Sequence, residues 1–264
     1  MTRTIAAIVL AATVAAGFVA PARAATAADL QAVSDRGRYL AAYDRAAWHG
    51  SDAVMSIAPK NAPIELFLAH PVGATWVVDF GKLSADASSF DVTYEATQAG
   101  DPKSFTAVAF AQPRHDTGVP LAEALAATDA RKLFVGEKRP YNFAVMPRPD
   151  GNIYVYIYPA MVSNDSWPLG GDERFLYSSD GKTMIERTRL HKSILDMQLK
   201  GEGSGQIVAG MNMEFLFDLP QDTDVFKVLS TGQPQYVTAQ GHMYYIDTTG
   251  VIEDKGALPV QGSH

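Results

Sequence analysis

The sequence predicts an α+β protein. We expect an N-terminal helix, then a predominantly antiparallel β-sheet or sandwich built of hairpins, with one further helix near residues 121–134. Apolar residues recur at helical spacing close to the start, and later β-branched or aromatic runs are separated by turn dipeptides. A chain of 264 residues that is 47% hydrophobic and lacks cysteine can bury a core without disulfides.

The first 24 residues have the pattern of a secretory signal peptide. Arg3 supplies positive charge, residues 5–20 are apolar and uncharged, and Ala22 and Ala24 are the small residues that a signal peptidase recognises. A membrane anchor is the alternative, but half of the apolar run is alanine or glycine and no basic flank follows it. We therefore expect cleavage after Ala24, a single α+β domain over residues 25–264, a periplasmic or secreted location, and no membrane insertion after cleavage.

The mature chain opens with a helix. Thr26 and Asp29 have the spacing of a capping box, with aspartate in the place of glutamate. The residues that follow place one apolar stripe on a helical face: Leu30, Val33, Gly37, Leu40, Ala41, Ala47 and Trp48. Gly50 is the first residue that interrupts this pattern.

The remaining elements read mostly as strands. Residues 75–80, 89–97 and 104–111 are short strand-like runs, whereas residues 121–134 favour a helix that begins after Pro120. Three turn dipeptides predict hairpins: Asp150-Gly151, Asp180-Gly181 and Thr249-Gly250. These turns favour antiparallel meanders over βαβ units. The glycine-rich residues 201–205 are the best internal linker.

Charge and motifs exclude several classes of function. The net charge is −7, and losing the leader removes two arginines, so binding to nucleic acid through phosphates is not expected. A cysteine nucleophile is impossible, and the zinc, phosphate-loop, dinucleotide and GxSxG motifs are absent. Ser179 and Lys182 match SxxK, but an Asp-Gly turn lies between them. We expect no metal and no cofactor.

A run of cationic side chains is the first candidate site. If residues 185–191 form a strand, Arg187, Arg189 and His191 share one face and could bind a carboxylate or phosphate. Alternatively, Asp172 and Glu173 on the hairpin partner neutralise this face.

A tyrosine stripe is the second candidate. Tyr154, Tyr156 and Tyr158 alternate with aliphatic residues, so the three rings share one face of a strand. Such a face could bind a ligand or a protein, because tyrosine offers rigid contact area with a polar tip. The alternative is a face packed under a helix, with its hydroxyls at the edge.

An acidic segment surrounds Pro220. Asp218, Asp222 and Asp224 supply oxygens that calcium could use, although capping of a short element is the commoner role of such residues.

We therefore expect an exported, non-catalytic binding or interaction protein. It would use the tyrosine and Arg/His stripes to bind an unidentified protein or small ligand in the cell envelope or outside the cell. The alternative is an exported hydrolase with a site assembled from His191 and nearby carboxylates, Asp172, Glu173 or Glu186.

Overall fold

The computed structural model describes residues 25–163, 165–198, 210–214 and 216–258. The predicted α+β class is confirmed, with helices α1 (Ala27–Met55), α2 (Val119–Leu133) and α3 (Asp222–Thr231). The strands are β1 Leu66–Val72, β2 Thr75–Leu83, β3 Phe90–Gln98, β4 Phe105–Asp116, β5 Tyr141–Pro147, β6 Ile153–Pro159, β7 Ser166–Gly170, β8 Glu173–Tyr177, β9 Met184–Arg189, β10 Ile194–Gln198, β11 Gly210–Glu214, β12 Gln235–Ala239, β13 His242–Ile246 and β14 Ile252–Ala257.

The strands form three four-stranded sheets and one two-stranded sheet among the described residues. Their orders are β1-β2-β3-β4, β5-β6-β8-β9, β11-β12-β13-β14 and β10-β7. All pairs are antiparallel except β11 and β12, which are parallel and joined through α3. The expectation of meanders without βαβ units is wrong at this one place, because parallel neighbours need a crossover and α3 provides it.

Helix α1 begins at the predicted capping box. The Thr26 hydroxyl accepts a hydrogen bond from the Asp29 amide at 3.1 Å, and the Asp29 carboxylate accepts one from the Thr26 amide at 3.0 Å. The helix continues through Gly50, whose missing β-carbon would lie 2.9 Å from Val78. Gly50 therefore lets α1 lie close to the first sheet and does not end the helix.

Local turn chemistry is confirmed at the three hairpins. Gly151, Gly181 and Gly250 have φ of 84°, 70° and 77°, in the left-handed region that glycine reaches without strain. They connect β5 to β6, β8 to β9 and β13 to β14. The three predicted strands are β2, β3 and β4, and the predicted second helix is α2. Helix α3 and strands β1, β7, β10, β11 and β12 were not predicted. Residues 201–205 lie outside the described residues.

Helix α1 takes part in two hydrophobic cores. Its C-terminal half, with Leu40 and Tyr43, packs against α2 and the first two sheets. Its first turns, with Leu30 and Val33, pack against α3 and the last sheet. In the part of the chain that the structure describes, no helix is long and apolar enough to cross a membrane.

Candidate functional site

The structure separates His191 from Arg187 and Arg189, which the sequence predicted to share one face. Strand β9 ends at Arg189, so His191 is not part of the strand and turns into the interior. Arg187 and Arg189 face the buried carboxylate of Glu173, with Nε to Oε distances of 2.7 and 3.7 Å. The guanidinium of Arg187 also lies over the Phe175 ring. Glu173 on the hairpin partner thus pairs with both guanidinium groups, as the alternative interpretation expected for this residue.

His191 lies between two buried carboxylates. Its Nδ1 atom is 2.7 Å from Asp172 Oδ1, and its Nε2 atom is 3.5 Å from Asp224 Oδ1. Burial by itself lowers the pKa of His191, but the two carboxylates outweigh it and hold that pKa well above its ordinary value. The two carboxylates therefore favour the protonated imidazole.

This charge pattern bears on the hydrolase alternative. The short His191–Asp172 contact is the geometry that a hydrolase needs, and His191 lines cavities of about 270 and 450 Å³. However, an imidazolium cannot accept a proton, and its Nε2 atom is buried and directed toward Asp224. The contacts therefore favour a structural role for His191 over that of a general base.

Helix α3 carries the rest of this buried polar cluster. Asp222 accepts hydrogen bonds from Arg36 Nε at 2.8 Å, the Tyr156 hydroxyl at 2.7 Å and Arg174 Nη1 at 2.8 Å. These donors come from α1, β6 and β8, so one carboxylate joins α3 to a helix and a sheet. With three of its roughly four acceptor positions used inside the fold, this buried carboxylate has little capacity left for a ligand.

Asp224 has the capping role that was the alternative to calcium binding. Its Oδ2 atom accepts from the backbone amide of Gln221 at 2.9 Å, which completes the N-terminal turn of α3. Nearby, the fully buried Lys227 donates to Gln235 at 2.7 Å, and burial lowers the pKa of Lys227 to about 8. Within the described ranges, no group of three or more histidine or acidic side chains is placed to hold a metal ion.

The predicted tyrosine face is not an open surface, because α1 and α3 cover it. Tyr156 and Tyr158 are buried, and only Tyr154 is partly exposed, between the guanidinium groups of Arg148 and Arg174. The alternative interpretation, a face packed under a helix, describes this arrangement. The Tyr158 hydroxyl nevertheless marks a site, because it donates to Asp44 at 2.7 Å where a groove begins.

A groove along α1 is a feature that the sequence interpretation missed. Two adjoining cavities of about 490 and 710 Å³ share Asp44, Trp48, Asn142 and Met161 in their linings. The helix contributes one face with steps of three and four residues to this groove: Ala41, Asp44, Trp48, Ser51 and Met55. From Ala41 to Met55 this face is roughly 20 Å long, at about 1.5 Å per residue.

Aromatic rings form the wall opposite α1. Trp167 and Tyr158 both contact the ring of Phe226 edge-on, with centroid distances of 5.5 and 5.0 Å. On the helix side, Trp48 is 57% exposed and its ring stacks on His49 at 4.8 Å. The sequence interpretation assigned Trp48 to the apolar core stripe. Trp48 also belongs to a second stripe with steps of three and four residues, which includes Asp44. That stripe is the sequence signal that could have indicated the groove.

Asp44 is the charged group shared by both cavities. Its carboxylate accepts hydrogen bonds from the Tyr158 hydroxyl and the Asn142 side chain. Burial raises the pKa of Asp44, and the two hydrogen bonds only partly oppose that rise. Among the described residues it has no cationic partner, so it is available to a polar group of a ligand.

No protein-family model, curated protein or solved structure matches the chain. The interpretation of the groove therefore depends on its own geometry.

Proposed function

We propose that the protein is an exported binding protein whose small ligand lies in the groove along α1. The observation that supports this most strongly is the pair of adjoining cavities, of about 490 and 710 Å³, with aromatic walls and Asp44 at their junction. Ligand sites are typically preformed, mostly apolar clefts of about 300–1,000 Å³ with a few placed polar groups. The 710 Å³ cavity has that composition, and the 490 Å³ cavity combines its aromatic wall with a larger share of polar and charged side chains.

The position of the groove also supports binding. Its walls come from α1, from α3 and from the strands that carry Asn142, Tyr158 and Trp167. Side chains on helices and strands are held more precisely than side chains on loops. The ligand would therefore meet regular elements on several sides, and loop residues 160–163 complete the lining. The binding surface differs from the predicted stripes, although Tyr158 belongs to both.

A neutral fluorescent probe tests this proposal. N-phenyl-1-naphthylamine is apolar, absorbs where tryptophan emits, and would lie near Trp48 and Trp167. Titration should give saturable energy transfer with one site per chain. Trp48→Ala should weaken the affinity about tenfold, since about 1.4 kcal/mol of lost contact has that effect.

A matched control removes an exposed apolar side chain elsewhere. Val119 is exposed on α2 and lines neither cavity. Val119→Ala should leave the affinity for the probe unchanged. The proposal is refuted if the probe shows no saturable binding, or if both variants bind it as the parent protein does.

Export is tested on its own. We expect the protein recovered from outside the cytoplasm to begin at Ala25, which its intact mass would establish. A product that retains residues 1–24 would contradict the proposed cleavage.

A further inference from the structure

The charges that line the groove are unevenly distributed along it. The end nearer the start of α1 is lined by Arg38, Arg45 and Lys103, and its acidic residue is Asp44. Among the described residues, the lining of the opposite end includes no Lys or Arg and is largely apolar, with Met55, Phe67 and Val162. The groove therefore has a cationic end and an apolar end.

Two of the cations have no partner within the described residues. Arg38 donates to the Thr249 carbonyl at 3.1 Å and to Asp35 at 3.2 Å. The exposed side chains of Arg45 and Lys103, in contrast, make no hydrogen bond or ion pair with any part of the chain that the structure describes. They come from α1 and from the turn between β3 and β4, so the fold brings them to one cavity from distant parts of the sequence.

The acidic groups of the groove leave these two cations uncompensated. Asp44 is held by Tyr158 and Asn142, and Asp52 at the other end is 3.8 Å from the Nδ1 atom of His49. Arg45 is exposed on α1 and carries its charge at the mouth of the cavity. A ligand with a negative group would supply the charge that the groove lacks.

We propose that the ligand is an organic anion with an apolar body, bound with its carboxylate or phosphate group between Arg45 and Lys103. The apolar body would pass Trp48 and extend along α1 toward Met55. This inference depends on the proposed function of the groove, and it adds the charge and the orientation of the ligand.

Three probes that share one tail separate the charge from the apolar contact. Decanoate, decanol and decyltrimethylammonium would each compete with N-phenyl-1-naphthylamine for the groove. Decanoate should compete at the lowest concentration. Raising the salt concentration should weaken the binding of decanoate but not that of decanol, because salt screens exposed charges.

Substitutions then locate the anionic group. Arg45→Gln and Lys103→Gln should each weaken the binding of decanoate about three- to fivefold, near the upper end of the range for an exposed charge pair. Each should leave the binding of decanol within about twofold. Lys132 is exposed on α2 and lines neither cavity, so Lys132→Gln should leave the binding of decanoate and of decanol unchanged.

The outcomes distinguish the two proposals. Saturable binding of the neutral probe with equal competition by all three decyl compounds would retain the groove as a binding site and overturn its preference for anions. Tighter binding of decyltrimethylammonium would also overturn it and identify Asp44 as the dominant charge. Absence of binding by the neutral probe would refute the proposed function itself.

Discussion

Gly37 and Val225 are in direct contact where helices α1 and α3 cross. A β-carbon at position 37 would lie 2.4 Å from Cβ of Val225 and 2.7 Å from the carbonyl oxygen of Asp222. The absence of a side chain at Gly37 lets the two helices approach closely enough for Arg36 Nε to lie 2.8 Å from the Asp222 carboxylate. The crossing therefore places α3 over the tyrosine face of β6.

Gly37→Ala should destabilise the protein. Alanine stabilises a helix by roughly 1 kcal/mol relative to glycine, but overpacking at this contact should cost more than that. The net loss in the free energy of unfolding should be about 2 kcal/mol. Urea denaturation would measure the loss. Gly50→Ala is the comparison, because its nearest neighbour is the side-chain Cγ2 atom of Val78 at 2.9 Å, and the loss there should be smaller. A Gly37→Ala variant as stable as the parent would contradict the close crossing.

Glu123 should make stability fall as the pH rises. Burial raises the pKa of this α2 carboxyl from 4.5 to about 7, so the folded state binds a proton that the unfolded state has released. Stability is full below pH 4.5 and declines up to about pH 7, by about 3 kcal/mol in total. Glu123→Gln should remove this decline and be more stable than the parent at pH 8.

Unfolding free energies measured from pH 4 to pH 8 would test this. The exposed Glu137 provides the control, since Glu137→Gln should leave the pH dependence as it is in the parent. Parallel curves for the parent and Glu123→Gln would show that the carboxyl is not held neutral by burial.

His191→Gln should lower the free energy of unfolding, because His191 has a structural role in the buried cluster. Removing the imidazolium leaves the Asp172 and Asp224 carboxylates buried without their shared cation, which should cost about 3–5 kcal/mol. Because the pKa of His191 is raised, its contribution is full below pH 6.5 and is lost as the pH rises through the folded-state value. The gap between variant and parent should therefore narrow in alkaline buffer. An unchanged unfolding free energy at pH 6 would instead revive the hydrolase alternative.

Tyr156→Phe should lower stability without altering ligand binding. The substitution removes the hydroxyl that donates to Asp222 at 2.7 Å, a bond to a charged group that should contribute about 2 kcal/mol. Tyr156 lines neither cavity of the groove, so the affinity for N-phenyl-1-naphthylamine should stay the same. Tyr158→Phe is the comparison, because it removes the hydroxyl that donates to Asp44 inside the groove.

If Tyr156→Phe also weakens the binding of the probe, the tyrosines of the stripe contribute to binding together, and the prediction is wrong.

Much of the secondary structure could be predicted because it depends on near neighbours. The capping box of Thr26 and Asp29 joins residues three positions apart, and the glycines of the three hairpins need only their own positive φ. The α+β class follows from these local patterns. Helix α3 was missed because its short sequence follows Pro220 and contains three of the polar residues that also suit a loop: Asp222, Thr223 and Asp224.

The sequence alone determined which residues share a face, whereas the tertiary structure decided which faces are covered. Alternation placed Tyr154, Tyr156 and Tyr158 together, but only the packing of α1 and α3 buried the last two. The groove arises in the same way, since Tyr158 and Asp44 are 114 positions apart and meet only when β6 packs against α1. Such contacts depend on how whole elements pack. The stripe of Asp44 and Trp48 on α1 could indicate one wall of the groove, but not the strands that form the opposite wall.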